Sequence, residues 1–136
     1  CWELQEDDAL IIEFQAPDSF WMISNAGVFF NSLDYLYRPV SYTPARTTVD
    51  SDGKVRLILC HRDPGYHNWL DTQGLVRGNI TYRSLLSTTT TAFSTKTVKL
   101  QGLAGALPGD TATVSAQERS AQLHARFAAI RRRYGY

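Results

Sequence analysis

The sequence contains few of the residues from which catalytic and metal centres are most often built. Among 136 residues there are two cysteines, three histidines and one methionine. Two cysteines do not make the disulfide framework of a small stapled domain, although a single bridge between Cys1 and Cys60 stays open. No apolar run reaches the roughly 18 residues that a membrane-spanning helix needs, so we expect no membrane span.

The sequence also lacks an excess of charge of either sign. Fourteen Lys and Arg against 13 Asp and Glu leave a net charge of +1. This balance excludes a general electrostatic attraction to nucleic acid or to anionic membranes, and we expect neither as a partner. Cations gather only near the C-terminus, at Arg126 and Arg131–Arg133, where they are typical of the solvated end of a helix.

Short motifs of known chemistry are missing as well. Gly102-x-x-Gly105 lacks the Lys-Ser/Thr partner of a phosphate-binding loop, and no G-x-S-x-G nucleophile elbow occurs. Asp50–Gly53 lacks the spacing and the final Glu of a calcium-binding loop. We therefore expect no cofactor. The chain begins at Cys1-Trp2 without a signal peptide, so we expect a C-terminal fragment of a longer protein and slightly favour the cytoplasm.

What the sequence does contain is a series of β-rich segments, which suits a single domain over residues 1–136. The predicted strands are Ala9–Gln15, Phe20–Phe30, Lys54–His61, Gly78–Leu86 and Thr95–Leu100. Phe20–Phe30 is aromatic on both faces, with Gly27 as a bulge or break. The tight-turn residues Asp50–Gly53 predict a hairpin that joins Arg46–Val49 to Lys54–His61. These features predict a mainly β protein, an antiparallel sandwich.

The last part of the chain changes to a helical pattern. Ser115 and Glu118 have the spacing of a capping box. Apolar residues then recur on one helical face, and Gly135 is a plausible stop. That face consists of Leu123, Phe127, Ile130 and Tyr134. We predict one C-terminal helix over about residues 115–134.

The stretch HRDPGYHNWLDTQG, residues 61–74, is the richest in polar chemistry, and its residues favour an architectural role. Pro64 and Gly65 suit a tight turn. Trp69 can anchor the segment in the core. Backbone N–H groups can be accepted by the three short polar side chains, which are Asp63, Asn68 and Asp71.

The same stretch also offers a functional interpretation. His61 and His67, with Asp63 or Asp71, could supply a general base and its orienting carboxylate. Their spacing is not that of a zinc site, and we expect no metal. Tyr66 and Trp69 could instead stack on a flat ligand, and Arg83 on the following strand is a further ligand-binding candidate.

Much of the chain resembles the bacterial family named domain of unknown function 1214. The resemblance rests on "HRDPG", "NWLDT" and the following "GNITYRSLL" with its Arg83, and on "NSLDYLYRPVS" and the Ser-capped, Arg-rich tail. It covers the chain from about Leu10 onward. It implies the C-terminal part of a longer protein and a jelly-roll-like antiparallel β-sandwich. The family implies no established reaction.

The sequence therefore predicts a non-catalytic accessory domain that binds a ligand or a partner. One alternative is part of a hydrolase- or transferase-type enzyme with its site between His61 and Asp71. Another is a structural, self-assembling subunit. The expected partners are an N-terminal domain, another subunit in a homo-oligomer, or both. They would cover an apolar surface formed by Trp2, Trp21, Phe29 and Phe30.

Overall fold

The computed structural model describes residues 1–135, which form two four-stranded β-sheets and a long C-terminal helix. The strands are β1 (Trp2–Glu3), β2 (Asp8–Gln15), β3 (Trp21–Ala26), β4 (Ser41–Tyr42), β5 (Lys54–Cys60), β6 (Trp69–Asp71), β7 (Arg77–Ser84) and β8 (Phe93–Lys99). The helices are α1 (Leu103–Ala106) and α2 (Ala116–Tyr134), with 3-10 turns at Pro44–Arg46 and Leu100–Gly102.

The two sheets have the strand orders β1-β7-β3-β4 and β6-β5-β2-β8. Neighbouring strands are antiparallel except for β6, which pairs with β5 in parallel. The predicted mainly β sandwich with a C-terminal helix is confirmed, whereas the jelly-roll connectivity stays a prediction.

Strand β5 is apolar on both faces, and its alternating side chains pack into two separate apolar clusters. Leu57 and Leu59 join the core between the sheets, around Phe14 and Trp21. Ile58 and Cys60 face the other way and pack against Trp69 and α1. Both cysteines are free, and Cys60 is buried.

The expected exposure of Trp2 and Trp21 is wrong. Trp21 is 1% exposed in the core, and Trp2 is 6% exposed with its Nε1 donating to Asn25 Oδ1 at 2.8 Å. Trp2 fits because Gly78 lies beneath it, where a Cβ atom would come within 2.7 Å of its ring. The next aromatic pair is exposed, since β3 ends at Ala26 and the chain turns away; Phe29 is 90% and Phe30 69% exposed.

The predicted hairpin at Asp50–Gly53 is wrong in its first arm. The tight turn exists, with Gly53 at φ +81° and the Asp50 N–H donating to the Lys54 carbonyl at 3.0 Å. The segment before it is not a strand, however, and β5 pairs with β2 and β6 instead. The backbone of this segment bonds to the Asn68 side chain instead of to a neighbouring strand. Asn68 accepts from the Thr48 N–H and donates to the Thr48 carbonyl.

Helix α2 begins as the sequence predicts. The Ser115 Oγ accepts from the Glu118 N–H, and the Glu118 carboxylate accepts from the Ser115 N–H. The helix ends at Gly135, whose φ of +71° is the left-handed conformation that glycine adopts freely. Its buried residues are Arg119 and Arg126. The apolar stripe from Leu123 to Tyr134 is only half-buried or exposed, so α2 is held mainly through arginines. No helix in the described part of the chain has the length and apolarity that crossing a bilayer demands.

Candidate functional site

The segment from His61 to Asp71, hereafter the 61–71 loop, follows β5 and ends with the short strand β6, which pairs with β5 in parallel. Its turn is closed by Gly65, at φ +74°, whose N–H donates to Asp63 Oδ1 at 2.9 Å. At its other end, Asp71 Oδ1 accepts from the Gln73 N–H at 2.8 Å. Both aspartates therefore satisfy backbone donors, which is the role that the architectural interpretation assigns to them.

Asn68 and Trp69 hold the centre of the loop against the core. Asn68 Nδ2 donates to the Arg56 carbonyl at 3.0 Å, in addition to three hydrogen bonds between the Asn68 side chain and Thr48. Trp69 is 7% exposed, and its Nε1 donates to the Cys60 carbonyl at 3.2 Å. Burial raises the pKa of the neighbouring Cys60 thiol to about 12, so the thiol stays protonated.

The two histidines of the loop bond to neutral groups. His61 Nδ1 lies 2.6 Å from Thr72 Oγ1, and its Nε2 lies 3.4 Å from the Leu4 carbonyl oxygen. His67 Nδ1 lies 2.9 Å from Asn68 Oδ1, and its Nε2 lies 3.4 Å from Gln122 Nε2. Neither imidazole is oriented by a carboxylate in these contacts.

The two aspartates pair with arginines instead. Asp71 lies 2.9 Å from Arg38 Nη1, and Asp63 binds Arg119 through both carboxylate oxygens, at 2.9 and 3.1 Å. The structure thus brings the four candidate catalytic residues into one loop without forming an acid–base pair. Within residues 1–135, no three His, Cys, Asp or Glu side chains gather into a group that could hold a metal ion.

Arg119 of α2 is the residue that fixes this loop. Besides Asp63, its guanidinium donates to the carbonyls of Tyr66 and His67 and to the Gln122 side chain. Its Cζ also lies 5.2 Å from the centre of the Trp69 ring. Arg119, buried and with its charge neutralised, therefore joins the loop to the C-terminal helix together with Gln122, whose Nε2 donates to the His67 carbonyl at 3.2 Å.

The third candidate ligand-binding residue, Arg83, lies elsewhere. It projects from the outer face of the β1-β7-β3-β4 sheet into a cavity of about 390 Å³. A second cavity of about 320 Å³ continues beneath α2. The two share Met22, Tyr35 and Ser41, so they are adjacent, and we call them together the outer-face groove. Tyr66 and Trp69, by contrast, pack with the cluster around α1.

The floor and walls of the outer-face groove come from three parts of the fold. Outward-facing residues of β3 and β7 make the floor, where Met22 pairs with Arg83 and Ser24 with Thr81. The irregular segment after β3 makes one wall, with the exposed ring of Phe30. Helix α2 makes the other wall at the second cavity.

The α2 end of the groove is strongly basic. Its lining includes Arg46, Arg126 and Arg133, with the hydroxyl groups of Ser41 and Thr43, and no described residue in that lining is acidic. From the sequence, Arg126 and Arg131–Arg133 are expected at a solvated helix end, and Arg119 is not among the candidate functional residues. A signal was present, because Arg119, Arg126 and Arg133 recur every seven residues and so share one helical face.

Comparison with known proteins gives a structural relative and no activity. No family model and no curated protein matches the chain. The crystal structure of an uncharacterized protein from Burkholderia cenocepacia is similar, with a TM-score of 0.71 and 32% sequence identity. The similarity covers 74% of this chain and 29% of that protein. The chain thus spans less than a third of the length of this bacterial relative.

Proposed function

We propose that this chain is a non-catalytic, ligand-binding accessory domain of a larger bacterial protein, and that it belongs to the domain of unknown function 1214 family. The "HRDPG" and "NWLDT" motifs are the basis for the family. The similarity to one part of a much longer bacterial protein supports a place within a larger chain. The ligand occupies the outer-face groove.

The observation that carries this proposal is the groove itself. Its two cavities, of about 390 and about 320 Å³, fall within the range of about 300–1,000 Å³ that is usual for small-molecule sites. Apolar groups from Met22 and Phe30 stand beside hydroxyls and the Arg83 guanidinium. Such a mixture can bury an organic ligand and fix its orientation.

The bonding of the 61–71 loop supports the non-catalytic part of the proposal. The catalytic interpretation requires that Asp63 or Asp71 orients one of the imidazoles as its carboxylate partner. Here Asn68, Thr72 and Gln122 contact the imidazoles, while Asp63 and Asp71 neutralise arginines. The same contacts do not favour the hydrolase or transferase alternative.

A fragment screen by NMR on the ¹⁵N-labelled chain tests where ligands bind. We expect fragments to shift the amide signals of Met22, Ser24, Thr81 and their neighbours. Ser24→Phe should abolish these shifts, because it places a ring on the groove floor. Thr97→Phe is the matched control, since Thr97 is an exposed strand residue of the other sheet.

Three outcomes are informative. Shifts confined to His61 and His67 would contradict the proposal and favour a site in the loop. Groove signals that broaden with protein concentration, and sharpen in Ser24→Phe, would show that a second copy of the chain occupies the groove and would contradict a small-molecule ligand. Shifts that disappear in Ser24→Phe and survive in Thr97→Phe would support the groove.

A further inference from the structure

Among the residues that the structure describes, Arg126 is buried without a carboxylate partner. Its side chain is 6% exposed, and its Nη1 donates to the Ser41 carbonyl at 2.7 Å. Its Cζ lies 4.5 Å from the centre of the Tyr42 ring. The Nε and Nη2 groups are buried and have no hydrogen-bond acceptor among the described residues. Few buried guanidinium groups are left in this condition, because each unpaired donor costs free energy.

The charge of Arg126 is unfavourable in these surroundings. Burial lowers the pKa of the guanidinium below its usual value. The neighbouring Tyr42 offsets this in part, whereas the charges of Arg46 and Arg119 lower the pKa further. A buried charge is normally retained only where a counter-charge or a bound ion compensates it. Among the residues that line the cavity beside Arg126, no Asp or Glu supplies that compensation.

The cavity has what an anion requires. Arg46 and Arg133 contribute two more positive charges, and Ser41 and Thr43 contribute hydroxyl donors. Arginines are suited to phosphate because their planar donor pairs match two oxygens at once. The same cavity borders the remainder of the outer-face groove at Met22 and Tyr35, so apolar surface lies next to the cationic end.

From this arrangement we infer that the α2 end of the outer-face groove binds the phosphate group of an organic phosphate monoester, whose organic part lies along the groove. The inference rests on the proposed ligand-binding function and adds the chemical class of the ligand. Three arginines match a phosphate dianion better than a carboxylate, which carries one charge. A phosphate in the cavity would also supply the negative charge that Arg126 lacks.

Phenyl phosphate, inorganic phosphate and phenol are the probes that test the inference on the whole chain. Calorimetric titration at pH 7.5 and constant ionic strength should show binding of phenyl phosphate, weaker binding of inorganic phosphate and the weakest binding of phenol. Arg133→Gln should weaken phenyl phosphate binding about tenfold, the loss expected for one charge-assisted hydrogen bond. Arg132→Gln is the matched control, because Arg132 is the adjacent exposed arginine and does not line the cavity.

Arg126→Met gives a second, independent readout. Methionine keeps much of the length and apolar contact of the side chain while removing the unpaired charge. We expect this variant to fold, to lose phenyl phosphate binding, and to show no increase in melting temperature when phosphate is added. The wild-type chain should become more stable with phosphate, because a ligand that binds only the native state stabilises it.

The outcomes separate this inference from the proposed function. If phenyl phosphate fails to bind while neutral aromatic fragments shift Met22 and Thr81, the phosphate assignment is wrong and the groove remains a ligand site. If Arg132→Gln weakens binding as much as Arg133→Gln, the attraction is general and the assignment is overturned. If inorganic phosphate and phenyl phosphate bind equally and shift only signals around Arg126, the organic part of the assignment fails and the proposed groove ligand loses its support.

Discussion

Arg119 and Arg126 lie on the same face of α2, seven residues apart, and each is buried against an aromatic ring. Their partners differ completely. Arg119 binds Asp63 through two bonds and also donates to two carbonyls of the 61–71 loop. Within residues 1–135, Arg126 has one backbone acceptor and two donor groups without a hydrogen-bond partner.

The comparison separates a structural role from a binding role. A guanidinium whose donors and charge are satisfied within the chain stabilises the fold, and here Arg119 secures a loop rich in residue types that are also common in active sites. A guanidinium that is buried without compensation implies a missing partner. The strongest indication of ligand binding is thus in the helix, away from the loop that has the more suggestive sequence.

The largest effect that we expect near the 61–71 loop is a difference in reactivity between the Cys60 and Cys1 thiols. A pKa of about 12 leaves roughly one thiol in ten thousand ionised at pH 8, and the thiolate is the reactive form. We expect an alkylating reagent to modify the exposed Cys1 and to leave Cys60 unmodified, as mass spectrometry of the peptides would show. Rapid labelling of Cys60 would mean that the loop opens readily and is not a rigid scaffold.

Trp69→Ala should cause the largest loss of stability. The ring is buried beneath Arg119, and its Nε1 donates a hydrogen bond to the Cys60 carbonyl. Removing such a side chain lowers the free energy of unfolding by about 4 kcal/mol. Chemical denaturation measures the difference, with Phe29→Ala as the control because Phe29 is 90% exposed. Equal costs in the two variants would show that Trp69 does not anchor the loop.

Asn68→Ala should have an intermediate effect of about 2 kcal/mol, because it leaves buried backbone groups of Thr48 and Arg56 without partners. Asn68→Asp keeps the acceptor and loses the donors. It should therefore fail to restore full stability. A fully stable Asn68→Ala variant would contradict the architectural interpretation of the loop.

The histidine variants should have the smallest effect. His61→Ala and His67→Ala each remove long or neutral contacts at a half-buried position, and we expect each to cost less than about 1 kcal/mol. Neither should change phenyl phosphate affinity. A histidine variant that folds and yet loses all ligand binding would place the ligand site in the 61–71 loop and contradict a site in the groove.

The sequence predicts those parts of the molecule that depend on local pattern. The capping box at Ser115, the strand Ala9–Gln15 and the acceptor roles of Asp63 and Asp71 all follow from residues close in the chain. Asn68 was predicted to accept a backbone N–H of its own segment; it accepts one from Thr48 instead, 20 positions away in the chain.

The parts that escaped prediction depend on contacts between distant residues. The Arg119–Asp63 pair joins residues 56 positions apart, and no local pattern encodes it. The burial of Trp2 requires Gly78 opposite it, and the parallel pairing of β6 requires β5. The apolar stripe of α2 suggested a different buried face, because hydrophobicity alone does not reveal arginines that pack on Trp69 and Tyr42.

The most direct test compares Arg119→Met with Arg126→Met by urea unfolding in chloride buffer without phosphate. Arg119→Met leaves Asp63 and two carbonyls without their partner, so its free energy of unfolding should fall by about 3 kcal/mol. Arg126→Met removes an uncompensated buried charge, so it should be at least as stable as the wild type. An equally large loss of unfolding free energy in both variants would show that Arg126 stabilises the fold as Arg119 does. It would contradict the assignment of a structural role to Arg119 and a binding role to Arg126.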